Sequence, residues 1–392
     1  EGINKDIRSL PYWKNQEPPK YVKDYTDPLF PPNKNSLLGL DSSGNPIDPK
    51  AYEEKAKSID TDKIGFFRPK EIFGDDYYLF TDKIEVDDIK QGGLGDCYFM
   101  TPVANLCKFP NIIKNMFLQS TKNENGYYEI ILYIDGRRQI VIIDDYLPAY
   151  KSNKNPCFAK PNENEIWVLL LEKAWAKING GYQNIINLWP CDLLQALTGA
   201  VCDVLIHEEL NNEQIFNELN NIDKNNGICI SLTKNNNEVS KNGLINYHFY
   251  ILIDTEKIEL EKNKFLYLCK FFDPTPLDMT GESPQFIGTL KTNEKIKKKI
   301  SSDKLELNKG EFWITIDDVK KLFLRSDLCH MIFDGFSKIY TYKKENKNDL
   351  KYPKIFNFYM PEEGMISISI LSEKNWHYHR YLRDEHNPTS LI

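Results

Sequence analysis

Cys97 is preceded by Gln91-Gly92-Gly93-Leu94-Gly95-Asp96 and followed by an apolar, helix-like run, CYFMTPVANLCKF. The small residues ahead of the cysteine give a substrate backbone room to approach. A helix opening at Cys97 would hold its thiol beside unpaired N–H groups and the positive end of the dipole, which favours a thiolate. Gln91, six residues upstream, could return its side-chain amide to the sulfur and, with the Cys97 N–H, form an oxyanion hole. The competing reading is a small buried hydrophobe, the commoner role for a cysteine opening an apolar helix. A nucleophile also needs a base. The histidines stand at 207, 248, 330, 377, 379 and 386. Those in the tail HYHRYLRDEH read as solvated, and His207 lies in an acidic segment with no partner in view. His248 opens a β-type run in GLINYHFYILID. A lone histidine there is usually structural; paired with Cys97 it becomes the candidate base.

The elements that must position these residues are readable from pattern. NGYYEIILYID and RRQIVIIDDYLPAY alternate as a hairpin about Asp135-Gly136. EIWVLLLEKAWAKINGG, from Glu165, predicts an amphipathic helix stopped by glycines. CDLLQALTGAV follows it. Beyond Cys202, LNNEQIFNELNNID predicts a helix, GICISLT a buried strand, INYHFYILIDTE and NKFLYLCKFFDP two more, and EFWITIDDVKKLF a strand entering a helix. The segment from His330 is rich in β-type runs. A helix-led first half and a strand-rich second half suit an α+β fold. Residues 1–60 are proline-rich, with one helical stretch, PKAYEEKAKSI. Asp60, Asp62, Gly65 and Glu71 imitate a calcium loop, but Ile64 sits where an oxygen ligand belongs and Pro69 falls inside the loop, so that reading is rejected.

QGGLGDCYFM resembles the nucleophile motif of calpains, papain-like cysteine endopeptidases, in which tryptophan usually follows the cysteine; here it is Tyr98. YTDPLFPPNKNSL and FFRPKEI resemble the calpain approach to the active site, the first as an extended arm packed on the core. IIDDYLP and LLEKAWAK resemble further calpain segments, the second reading Leu-Leu-Glu-Lys-Ala-Tyr-Ala-Lys in the family. The resemblance implies a two-lobed papain-like protease core followed by a partial antiparallel β-sandwich. It divides the chain into an arm (1–60), a nucleophile lobe (61–202), a second lobe (203–329) and the opening of the sandwich (330–392). His248 matches the family's base. The family's third residue, an asparagine followed by Pro-Trp, matches Asp273, followed by Pro274 and Thr275. An aspartate accepts the same imidazole N–H with a full charge and favours a Cys⁻/His⁺ pair. The missing tryptophan removes a ring that shields the triad from water.

The resemblance also implies Ca²⁺, one ion per lobe. The first-lobe ligands match Asp88 and Glu165, both carboxylates suited to a hard cation. In the second lobe the family's Asp-Gly-Glu-Phe-Trp reads Lys309-Gly310-Glu311-Phe312-Trp313, and its Glu-Trp-x-Gly reads Asp278-Met279-Thr280-Gly281. One intact calcium site and one lost or weakened site are expected, with Glu311 the remnant of the second. The implied function is calcium-dependent cleavage of protein substrates. The opposing hypothesis is a degenerate scaffold that binds partners without proteolysis, and Asp273, Thr275 and Lys309 are the residues that feed it.

A formal charge of −7 argues against nucleic acid as main partner. The run KTNEKIKKKISSDK reads as a solvated loop. No apolar stretch approaches the roughly 18 residues of a membrane span. Eight cysteines without a CxxC pair suit free thiols in a reducing compartment, hence a cytoplasmic protein. A chain opening on Glu1 is expected to belong to a longer protein with further domains.

Overall fold

The structure, a computed structural model, describes residues 19, 22–39, 59–86, 89, 97–134, 136–161, 164–186, 188–274, 285–292 and 307–331. Asp88, Gln91, Thr275, Asp278, Gly281, the helical stretch expected within 49–59, most of the lysine-rich run and the sandwich segment after 331 lie outside these residues. So does the side chain of Cys97.

The first half is led by helices. A short helix α1 (Lys34–Leu38) ends the arm; strand β1 (Ile64–Phe67) and helix α2 (Pro69–Phe73) follow. Helix α3 (Cys97–Leu106) begins at the candidate nucleophile and leads to α4 (Pro110–Met116). The expected hairpin is β2 (Tyr127–Ile134) against β3 (Arg137–Asp144), with Gly136 at φ 71° supplying the left-handed turn residue. Strand β4 (Leu147–Tyr150) returns to pair antiparallel with β1. Helices α5 (Trp167–Ile178) and α6 (Pro190–Thr198) complete this half.

The second half is built on a six-stranded antiparallel sheet. Its strands are β5 (Val201–Ile206), β6 (Ile228–Thr233), β7 (Phe249–Glu261), β8 (Lys264–Phe272), β9 (Glu311–Thr315) and β10 (Phe323–His330), in the order β5-β10-β6-β7-β8-β9. Helices α7 (Asn212–Lys224), α8 (Asn237–Lys241) and α9 (Ile316–Leu322) connect them. On one face, Ile215, Phe216 and Leu219 of α7 and Val319 and Leu322 of α9 share a core with Tyr250 and Phe271. On the other, Ile230, Leu232, Phe249 and Ile251 join the large core of the first half, including Val103 and Ala104 of α3. Strand β5 spans position 202/203, and the larger apolar cluster draws residues from both halves while a second lies around α7 and α9.

Helix α5 is buried at every position, including Glu172, Lys173 and Lys177. A buried ammonium must be paired. Lys177 Nζ donates to Asp27 Oδ2 and to the Ile142 carbonyl, both at 2.6 Å. Lys173 Nζ donates to Asp144 Oδ1 and to the Tyr146 carbonyl. The Asp27 N–H closes the circuit on Asp144 Oδ2 at 2.7 Å. Next to it, Arg68 pairs with Asp145, lies 4.2 Å over the Tyr146 ring and donates to the Tyr25 carbonyl at 2.9 Å. The arm, α2, β3 and α5 are thus tied by charge, and the expected packing of YTDPLF on the core is realised. Burial pushes the Lys177 ammonium down to about 8, against the opposing pull of Asp27.

His207 is also buried, with Nε2 against Ser326 Oγ at 2.9 Å and Ser326 Oγ against Ser231 Oγ at 2.6 Å. This is the partner that sequence pattern did not supply. Among the described residues, cysteines 157, 191, 202, 229, 269 and 329 are free thiols.

Two stability predictions follow from these buried groups. Lys177→Met leaves the Asp27 carboxylate buried without its cation and should cost about 3–5 kcal/mol in urea unfolding, much of it regained in Lys177→Met/Asp27→Asn. For His207, burial pushes the pKa down to about 4 from an ordinary 6.5. Between those values the unfolded chain binds a proton that the folded chain does not, so stability falls as pH drops through this window. The loss attributable to His207 at pH 5 relative to pH 7 should be about 2 kcal/mol. Unfolding of His207→Gln at both pH values should show a pH-dependent loss smaller by that amount.

Candidate active site

Antiparallel pairing of β7 with β8, with Ile251 opposite Phe272, brings the residue preceding β7 close to the residue following β8. Those residues are His248 and Asp273. His248 Nε2 meets Asp273 Oδ1 at 2.9 Å. Both side chains are largely shielded, at 9% and 14% exposure, so the contact is protected from competing water. A carboxylate can only accept, which places the proton on Nε2 and makes Nδ1 the nitrogen available for proton exchange.

The surrounding bonds fix both partners. The His248 N–H donates to Thr233 Oγ1 and the Thr233 N–H donates to the His248 carbonyl, each at 3.0 Å. The imidazole stands edge-on to Tyr250, with ring centroids 5.0 Å apart. Tyr250 Oη in turn accepts the Ile245 N–H at 3.0 Å. On the other side, the Asp273 N–H donates to the Gly310 carbonyl at 3.0 Å. Gly310 has φ 87°, and a Cβ there would lie 3.2 Å from the Asp273 carbonyl oxygen, so this close approach requires glycine.

Cys97 is the first residue of α3. That helix shares its core with β6 and β7, the strand that His248 precedes. Its second residue, Tyr98, is buried, and its Oη accepts a hydrogen bond from Trp175 Nε1 of α5 at 3.0 Å. The calpain pattern has tryptophan after the cysteine and tyrosine in the α5 segment, so the two aromatics are exchanged here. In this chain the two join an indole N–H to a phenol oxygen in one buried contact.

The expected calcium ligands have different fates. Glu165 is buried; its Oε1 accepts the Thr81 N–H and its Oε2 accepts Trp167 Nε1 at 2.9 Å. One N–H to each oxygen leaves further lone pairs on this carboxylate, which fits an ion shared with a second acid. Glu311 does not fit. Its Oε2 is paired with Lys270 Nζ at 2.6 Å, and Asn308 donates to it from the backbone at 3.0 Å and from Nδ2 to Oε1 at 2.9 Å. Burial alone would raise the Glu311 pKa, but the bonds from Lys270 and Asn308 outweigh it and hold it below the usual range. Lys309, which stands where the family pattern has an aspartate, is exposed, and the cation paired with Glu311 is Lys270. Among the described residues, no three His, Cys, Asp or Glu side chains are grouped to hold a metal. Sequence reasoning also missed Thr233 and Tyr250. The available signal for Lys270 was one charge within the apolar run FLYLCKFF, where a half-buried lysine needs an acid.

Residues 25–330 match the calpain family cysteine protease domain. A calpain-type cysteine protease of rice is 25% identical over 327 residues, covering 80% of this chain and 14% of that protein. Mouse calpain-5 is 26% identical over 348 residues, covering 81% of this chain and 51% of that protein. The rat calpain-1 catalytic subunit is 24% identical over 318 residues, covering 79% and 42% respectively. The chain thus spans about half of the mouse relative and far less of the plant one. With a family domain matched over most of its length and a His–Asp contact at the expected positions, the chain belongs to the calpain family of cysteine proteases.

Proposed function

We propose that this chain is a cysteine endopeptidase acting on protein substrates, with Cys97 as nucleophile, His248 as base and Asp273 orienting the imidazole. The observation that carries the reading is the 2.9 Å contact between His248 Nε2 and Asp273 Oδ1, at the end of the β7–β8 pair, of which β7 shares a core with α3. In this reading His248 Nδ1 takes the Cys97 proton, and the thiolate attacks the peptide carbonyl. The oxyanion is stabilised by the Cys97 N–H and the Gln91 amide, and His248 returns the proton to the leaving amine. Water activated by His248 then releases the acyl group. In this reading the helix-led half and the six-stranded half serve as the two lobes of a papain-like core, and the resemblance assigns residues 330–392 to the opening of a β-sandwich. A reducing, cytoplasmic setting suits the free thiols. The scaffold alternative gains nothing from a His–Asp pair held from both sides.

Calcium enters this reading at one place, with Asp88 and Glu165 as its carboxylates. Bound there, it would contribute charge that organises the nucleophile lobe. The Lys270–Glu311 pair supports the loss of the second site, because a lysine already supplies the compensating positive charge.

Casein cleavage tests the catalytic assignment. His248→Ala should lower kcat/KM by about 10²–10⁴-fold. Asp273→Asn, which keeps a neutral acceptor, should retain most of the activity, and Asp273→Ala should not. An unaffected His248→Ala would contradict the assignment. Calorimetry tests the ion: one calcium per chain, abolished by Asp88→Ala and untouched by Glu311→Gln. Two sites of similar affinity would contradict the reading.

A further inference from the structure

Tyr247, the residue before His248, has φ 49°. For a bulky residue this left-handed conformation is a genuine outlier, sterically unfavourable and persisting only where its surroundings impose it. The imposing contacts lie on both flanks of the turn, and the Thr233 hydroxyl makes two of them. Thr233 Oγ1 donates to the Ile245 carbonyl at 2.6 Å and accepts the His248 N–H at 3.0 Å. Both chain positions flanking Asn246-Tyr247 are therefore gripped by the buried hydroxyl at the end of β6, Tyr250 Oη holds the Ile245 N–H as well, and of the two residues between them Asn246 stays partly buried while Tyr247 is exposed. The Tyr247 side chain gains no burial in exchange: the residue is 60% exposed, beside a histidine that is 7% exposed. A strained, solvent-facing aromatic next to the base has no packing rationale, and strain of this kind collects at functional positions.

We infer that Tyr247 is a specificity-determining residue whose ring receives the side chain of the substrate residue immediately following the scissile bond, favouring large apolar ones. The inference rests on the endopeptidase reading above. In that reading His248 protonates the leaving amine, so the residue carrying that amine must pass beside His248 and its chain neighbour. An exposed phenol ring offers such a residue an apolar face and removes apolar surface from water on contact. The held backbone sets the direction in which the Tyr247 Cα–Cβ bond leaves the chain before substrate arrives, which lowers the entropy lost on binding.

The test is digestion of denatured casein by the whole chain, with cleavage sites read by mass spectrometry, for wild type, Tyr247→Phe and Tyr247→Gly. Wild type and Tyr247→Phe should favour Phe, Leu, Tyr, Met and Ile after the cut by roughly tenfold over small and acidic residues. Tyr247→Gly should lose that preference while still cutting. Because glycine tolerates positive φ, Tyr247→Gly should also melt about 1–3 °C higher. An unchanged site profile in Tyr247→Gly would overturn this inference and leave the endopeptidase reading standing. So would an equal loss of cutting at every site, which would mean that Tyr247 only positions His248. A lower melting temperature would overturn the strain premise. Failure of wild type to cut casein at all would overturn both readings together.

Discussion

Everything else in the first half depends on two lysine ammoniums buried in a fully enclosed helix. Lys173 and Lys177 sit one turn apart on α5 and cannot be left unpaired away from water. Each finds an aspartate from a distant part of the chain, Asp144 at the end of β3 and Asp27 in the arm. The Asp27 N–H then donates to Asp144. Only one relative placement of arm, hairpin and helix satisfies all of these groups at once. The pairs gain little over a well-packed apolar core, but removing one member leaves a buried charge. Their contribution lies in excluding other arrangements, and α3, packed in the same core, inherits a fixed position from them.

The six-stranded sheet imposes the matching constraint on the other side of the site. The register of β7 against β8 sets His248 beside Asp273, and Thr233 and Gly310 hold the two backbones from neighbouring strands. None of these contacts is local in sequence. The His–Asp pair is separated by 25 positions and the Thr233–His248 contact by 15. A shift of one residue in the β7–β8 register would reverse which face each side chain occupies and separate the pair.

This explains what the sequence could and could not disclose. The β2–β3 hairpin, α5, α7 and strands β6 to β9 were legible because their periodicity and turn residues are local signals. Asp27, Arg68, Asp144 and Lys173 were recognisable only as parts of resembling motifs. Their reason for being there, mutual neutralisation, requires knowing which segments meet. The Tyr98–Trp175 contact joins two residues that no local signal relates, since they meet only once α3 and α5 are placed together. The partner of Glu311 was hidden for the same reason: Lys270, far from it in sequence, reaches it from the adjacent strand β8. The burial of His207 followed from its contact with β10, not from its acidic neighbours.

The most direct measurement is covalent labelling of the whole chain by a peptidyl epoxide, followed by intact-mass analysis and peptide mapping, with and without calcium. Thiolate formation at one position, assisted by His248, predicts a single adduct per chain located on Cys97 and lost in His248→Ala. The other cysteines are disfavoured targets, since burial pushes the Cys157, Cys229 and Cys269 thiols upward. Absence of any adduct under both conditions, or labelling that persists at the same rate in His248→Ala, would contradict the account.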